Sequence, residues 1–353
     1  FKGGTCLKKC FFETYRFSED LDFTVPSSLE LSVERIRSAL IELAAWVQDE
    51  CGIGFPDGRL DVEQYSNKQG TDSFQARLTY VGPYPMKRSS QQRVKFDITQ
   101  HEVIVGPVDQ REVFHGYEDA RVPSPKVSCY SVNEILAEKT RALYERQGRA
   151  RDVYDLVHIS RGFREEISPE AAKHALLEKF AFKRLEVPTA DAILNRIEWD
   201  GLESNWDKQL RHQLPQLPAL EGFKADLMDA LAWWMEPPRA APPLATVPLL
   251  ATDELVARTR FPRGFGRSAG QLADAIVFAA RNRLLVAFDH HGARRVVEPY
   301  SLRRRGTGNL LLYAFEISKS GASTTGIRSY KVGEIYRAEA LPTSFRPRWY
   351  IEL

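Results

Sequence analysis

The 353-residue chain is most informative first in what it lacks. No apolar run approaches the roughly 18 residues that cross a bilayer as a helix, so no membrane span and no membrane partner is expected. Cysteine is scarce. The four, Cys6, Cys10, Cys51 and Cys129, form no CxxC pair and are too few for a disulfide framework, which fits a reducing cytoplasm. Cys6 and Cys10 stand four apart, a spacing that lets them face one another on a helix; they read as small apolar packing residues rather than ligands. The formal charge is only +2, so attraction to nucleic acid has to come from local patches, not from the field of the whole molecule. No signal peptide is expected from the opening residues. Phe1-Lys2-Gly3-Gly4 reads as the end of a strand entering a loop, and residues upstream of it are therefore expected. No internal repeat is present.

What the chain does have is the make-up of a globular protein, 43% hydrophobic and 27% charged. Its length exceeds what one core serves, and two or three domains are expected. Up to about residue 130, strand patterns at Arg16 to Thr24, Gln75 to Tyr80 and Gln92 to Val105 flank a helical stretch, Ser28 to Val47, whose apolar positions are Leu31, Ile36, Leu40, Leu43 and Ala44. From 131 to 235 the pattern is helical. It opens on Ser131-Val132-Asn133-Glu134, a capping-box spacing, and three or four helices are expected. Residues 236–250 form a linker, with five prolines between 236 and 248 that exclude a helix or central strand. Beyond it, 271–282 reads as a helix, 284–302 as a hairpin turning at His290-His291-Gly292, and 309–318 and 327–335 as strands. The expected fold class is α+β: an α/β domain over 1–130, a helical domain over 131–235 that completes its site, the linker, and a small β-barrel over 251–353.

Chemistry concentrates near the start. Side chains two apart on a strand share a face, so Asp20 and Asp22 project together with Leu21 behind them. Paired carboxylates suit Mg²⁺, which takes oxygen ligands and shares its other positions between water and phosphates; the alternative is a solvated strand face. Gly3-Gly4-Thr5 leads into the helix CLKKCFFE, where missing side chains and free amides let a phosphate approach. An ordinary glycine turn is the other reading. Asp97, in VKFDIT, is the candidate for the third carboxylate of a two-metal site, on the ground that it interrupts an apolar face, or else an edge-strand gatekeeper. Ser18 lies two before Asp20 and is either a site hydroxyl or a turn serine.

The stretches FKGGTCLKKC, RFSEDLDF, VKFDIT and EKTRALYERQGRARDVYDL resemble the AbiEii/AbiGii toxin family of nucleotidyltransferases, within the DNA polymerase β-like superfamily, over residues 1–235. The resemblance implies a polymerase β-like core, NTP as substrate, Mg²⁺, a cognate antitoxin, a toxin–antitoxin or phage-defence setting, and an RNA acceptor such as tRNA. Residue by residue it implies that Gly3, Gly4 and Thr5 hold the triphosphate and that Asp20, Asp22 and Asp97 bind metal. Lys139 then contacts NTP phosphates, and Asp155 matches a later acidic motif. Members normally carry a helix and strand before the glycines. Lys139 also draws notice alone, rising between Ile135, Leu136, Ala142 and Leu143 on a helix, where snorkelling past the core edge is the other explanation. Asp155, four beyond Arg151, has a surface ion pair as its alternative.

Residues 275–317 with 327–335 resemble a WYL domain, an Sm- or SH3-like barrel associated with nucleic-acid or nucleotide sensing, although Val286-Ala287-Phe288 departs from the namesake triplet. Between 251 and 310 there are eleven arginines, no lysine and five acidic residues, a net +6. Arginine forks suit phosphates, and Arg294, Arg295, Arg303, Arg304 and Arg305 are the nucleic-acid candidates, with Tyr300 and Tyr313 for base stacking; a solvated charged face is the alternative. Two functions follow: a nucleotidyltransferase toxin, or a nucleic-acid-sensing regulator built on a transferase fold without catalysis.

Overall fold

The computed structural model describes residues 1–56, 59–66, 72–81, 92–100, 102–115, 122–236, 254–255, 267–304 and 309–353. They divide into two compact units that interleave along the chain. One holds Phe1–Phe11, Phe17–Glu138 and Glu170–Val187, the other Phe12–Arg16, Lys139–Pro169 and Pro188–Leu353. The linker expected at 236–250 lies, but for Glu236, outside the described residues.

In the first unit, a helical turn α1 (Gly3–Cys6) continues as one π-helical turn over Leu7–Phe11. Four strands then build a sheet: β1 (Asp20–Val25), β2 (Leu60–Ser66), β3 (Asp72–Tyr80) and β4 (Gln92–Gln100). Their order is β1-β4-β3-β2, with β1 parallel to β4 and the other pairs antiparallel. A parallel pair needs a long crossover, and it contains helix α2 (Val33–Cys51). Ser32 starts α2 by accepting the Arg35 amide at 3.1 Å, which moves the start four residues past the expected Ser28. Ile36, Leu40 and Ala44 pack on Leu60, Phe74, Ala76, Leu78 and Phe96, with Leu21, Phe23, Val94 and Ile98 against them. Leu43 is exposed instead. Alternation puts Asp20, Asp22, Lys95, Asp97 and Gln75 on the opposite face of this sheet. A second, two-stranded sheet pairs β5 (Asp109–Glu112) with β6 (Lys126–Cys129).

Six helices span 132–235, where three or four were expected: α3 (Val132–Glu145), α4 (Ala150–Gly162), α5 (Pro169–Phe182), α6 (Ala190–Arg196), α7 (Trp199–Leu210) and α8 (Leu220–Met235). Gly148, at φ +95°, and the prolines at 169, 188 and 218 cut the run. Ser131 caps α3 by accepting the Glu134 amide at 3.3 Å. Glu134 does not close the reciprocal half of the box. Its carboxylate is buried and pairs with Lys179 at 2.7 Å. In the second unit α4 is the central helix, buried from Asp152 to Ser160.

Beyond the linker, helix α9 (Arg267–Arg281) precedes strands β8 (Leu284–His290), β9 (Ala293–Arg304), β10 (Leu310–Lys319), β11 (Ala322–Lys331) and β12 (Ile335–Ser344). The antiparallel order is β11-β10-β9-β8-β12, with β7 (Glu254–Leu255) pairing the end of β9. The hairpin turn falls at His291-Gly292, as expected. Among the described residues the end strands β11 and β12 do not pair with each other, so the expected closed barrel is an open antiparallel sheet.

Phe74 is the large side chain at the centre of the α2–sheet core. Phe74→Ala is expected to lower stability by about 3–5 kcal/mol, read as a lower urea midpoint with the far-ultraviolet spectrum retained in water.

Candidate active site

The glycine turn and the aspartate pair meet. Lys2 forms an isolated antiparallel bridge with Asp22, its amide donating to the Asp22 carbonyl at 2.9 Å. Gly3 follows at φ +78°, and a Cβ built there would lie 2.0 Å from Asp22 Oδ2. Glycine is therefore required twice, by the backbone conformation and by the carboxylate lying against the main chain. Thr5 is turned inward, its hydroxyl donating to the Asp20 carbonyl at 2.6 Å. It thus ties the turn to β1, in addition to any contact with phosphate.

In β1 and β4 the register sets Asp20 beside Lys95 and Asp22 beside Asp97. Asp97 accepts from Gln75 Nε2 at 2.8 Å and from Lys95 Nζ at 2.7 Å, and Lys95 Nζ also lies 3.6 Å from Asp20 Oδ2. The premise that Asp97 interrupts an apolar face is corrected: Val94, Phe96 and Ile98 hold that face, and Asp97 is on the other. Nor is β4 an edge strand, since it lies between β1 and β3, which removes the gatekeeper explanation. Ser18 precedes the first residue of β1, so strand alternation does not set its direction.

These residues suit a hard cation by donor type, three carboxylates carried on one sheet face. A cation already bridges two of them. Partial burial opposes the charge on Lys95, and its hydrogen bond to Asp97 with the field of Asp20 outweighs it, leaving the ammonium above its ordinary value. The three aspartates do not, however, converge as tightly as two other groups of ligating side chains whose atoms lie within 4.8 Å among the described residues; those are Cys6, Cys10 and Cys129, and His290, His291 and Glu334.

Lys139 and Asp155 belong to the second unit. Asp155 is fully buried and receives Arg16 Nε at 2.6 Å, Arg16 Nη2 at 2.7 Å, Tyr15 Oη at 2.7 Å and Lys139 Nζ at 2.7 Å. Lys139 lies a further 3.7 Å from Asp152. It does not snorkel to solvent; it is held in a buried charge cluster. Burial favours neutral Asp155, but Arg16 and then Lys139 overcome it and hold the carboxyl far below the usual range. Burial likewise lowers Lys139, and Asp155 and Asp152 raise it above its ordinary value. Arg151 is exposed, and the surface pair with Asp155 is replaced by this cluster. Arg16 and Tyr15 were not singled out in the sequence, where nothing marks them as partners of a residue 139 or more positions away.

The arginines of the C-terminal sheet meet carboxylates, several from outside the 251–310 window. Arg295 pairs with Glu316 at 2.7 Å, Arg294 with Asp289 at 3.4 Å and with Glu339, and Arg303 with Glu352 at 3.2 Å. Arg304 ends β9 opposite Glu254, and Arg305 lies outside the described residues. Tyr300 is buried, stacked on Trp349 at 4.4 Å, with its hydroxyl donating to Glu298. Tyr313 packs beside the same cluster. Tyr300 therefore presents no free face for base stacking, whereas Tyr313 is only partly buried.

With this geometry in view, the comparisons identify the class. Residues 1–236 match the family model described as nucleotidyl transferase AbiEii toxin, type IV toxin–antitoxin system, and the chain belongs to that family. The match ends before the C-terminal sheet. Among solved structures, the nucleotidyltransferase toxin MenT4 from Mycobacterium tuberculosis H37Rv is similar at 19% identity and TM-score 0.43, over 67% of this chain and 75% of that one. No curated protein matches significantly.

Two outcomes test this geometry. Gly3→Ala is expected to push the Asp22 carboxylate aside and, if this is the reacting centre, cut turnover about 100-fold; a shifted Asp22 side-chain signal by NMR is the structural readout. Asp155→Asn is expected to cost about 3–5 kcal/mol, because it strips the countercharge from buried cations. Since the folded carboxyl titrates below its unfolded value of about 3.9, its contribution is complete above that pH and disappears as pH falls toward the folded value. Wild type and variant should therefore converge in urea midpoint on acidification.

Proposed function

We propose that this protein is an NTP- and Mg²⁺-dependent nucleotidyltransferase toxin that modifies an RNA, with tRNA as the acceptor, in the cytoplasm and under the restraint of a cognate antitoxin. The observation that carries the reading is the contact of the Asp22 carboxylate with Gly3, because it brings the phosphate-binding turn and the metal-binding strand to one place. Family membership supports transferase chemistry and a toxin–antitoxin setting.

In this reading Asp20, Asp22 and Asp97 hold the metal, with Gln75 orienting Asp97. When bound, Mg²⁺ lowers the pKa of an attacking hydroxyl and offsets charge on the phosphate oxygens. The Gly3-Gly4-Thr5 turn lets the triphosphate approach the backbone. An acceptor oxygen bonds to the α-phosphorus, the bond from that phosphorus to the bridging oxygen breaks, and pyrophosphate leaves with the electron pair. The hydroxyl proton passes to solvent or to a carboxylate on this face. Lys139 is assigned to NTP phosphates on the family likeness, and Asp155 fixes its ammonium.

Incubation with each α-labelled NTP, Mg²⁺ and total tRNA is expected to label the RNA with wild type. Asp22→Asn should reduce labelling by at least about 10³-fold while leaving the melting curve unchanged. No label from any NTP overturns the reading in favour of a non-catalytic regulator, and equal labelling by the variant overturns the assignment of Asp22 to the reacting centre.

A further inference from the structure

Three of the four cysteines converge outside the face just described. Cys6 ends α1, Cys10 lies in the π turn, and Cys129 ends β6, so residues more than a hundred positions apart supply one cluster. All three are buried and not in disulfides, and their sulfur atoms lie within 4.8 Å of one another. Cys51 is exposed and takes no part.

We propose that Cys6, Cys10 and Cys129 form a thiolate site for one zinc ion. Zinc–sulfur bonds of about 2.3 Å in tetrahedral geometry place the sulfurs about 3.8 Å apart, so the cluster closes on the ion with a contraction of at most about an ångström. Thiolates select soft cations over Mg²⁺, which separates this site chemically from the carboxylate face. The charge count favours a divalent ion. Three thiolates with Zn²⁺ leave one negative charge, and the Phe1 ammonium and then Arg111 are cations whose fields reach Cys129; a monovalent ion leaves two in a buried place. The ion would tie β6 to the segment that begins with the glycine turn. In that segment Thr5, directly before Cys6, is bonded to β1.

The test uses the full chain, purified under reducing conditions, stripped with a chelator and reloaded with Zn²⁺ alone. One equivalent is expected to bind, and X-ray absorption at the zinc edge is expected to show three sulfurs at about 2.3 Å. Cys10→Ser and Cys129→Ser should lose the bound equivalent, whereas Cys51→Ser and the double variant His290→Ala, His291→Ala should keep it. Fewer than three sulfurs around zinc in wild type, no zinc uptake, or retention of the ion by both cluster variants overturns the proposal. The sulfur count in wild type decides even if a cysteine variant fails to fold.

Discussion

The candidate site depends on one close approach, a carboxylate lying against main chain where a side chain is missing. Asp22 occupies the volume that a Cβ on Gly3 would take, and the Lys2 amide fixes the same strand position from its backbone. Thr5 secures the other side of the turn by bonding the Asp20 carbonyl. The glycine segment and the strand are thereby locked at adjacent residues. The parallel pairing of β1 with β4 then adds Asp97 to the same face.

Charge is handled differently in the two units. On the sheet face of the first, Asp20 and Asp97 remain partly exposed and share the Lys95 ammonium. That is an arrangement a dissolved cation can enter. In the second, Asp155 is sealed from water and saturated by two cations and a phenol. Such a cluster is costly to form and more costly to break by removing one member. It fixes the Lys139 ammonium at 2.7 Å from the carboxylate.

The C-terminal sheet shows how net charge along a window misleads. Counted over 251–310 the segment is strongly basic. In the fold, Glu316, Glu339 and Glu352 come back from later strands and the chain end to meet those arginines. Pairing across a sheet joins residues by register, and register cannot be read from a local tally.

Local pattern was enough for much of the rest. Alternation in β1 and β4, the helical spacing of Ile36, Leu40 and Ala44, the His291-Gly292 turn and the glycine and aspartate motifs are consequences of neighbouring residues, and the sequence by itself determined them. The tertiary structure alone decided what depends on distant partners: Asp155 with Arg16 in place of Arg151, Asp97 on the polar face of an inner strand, an open sheet in place of a barrel, and Cys129 beside Cys6 and Cys10. The reason is physical. Backbone periodicity acts over a few residues, whereas burial of charge and sulfur is settled by which strands and helices the whole chain packs together.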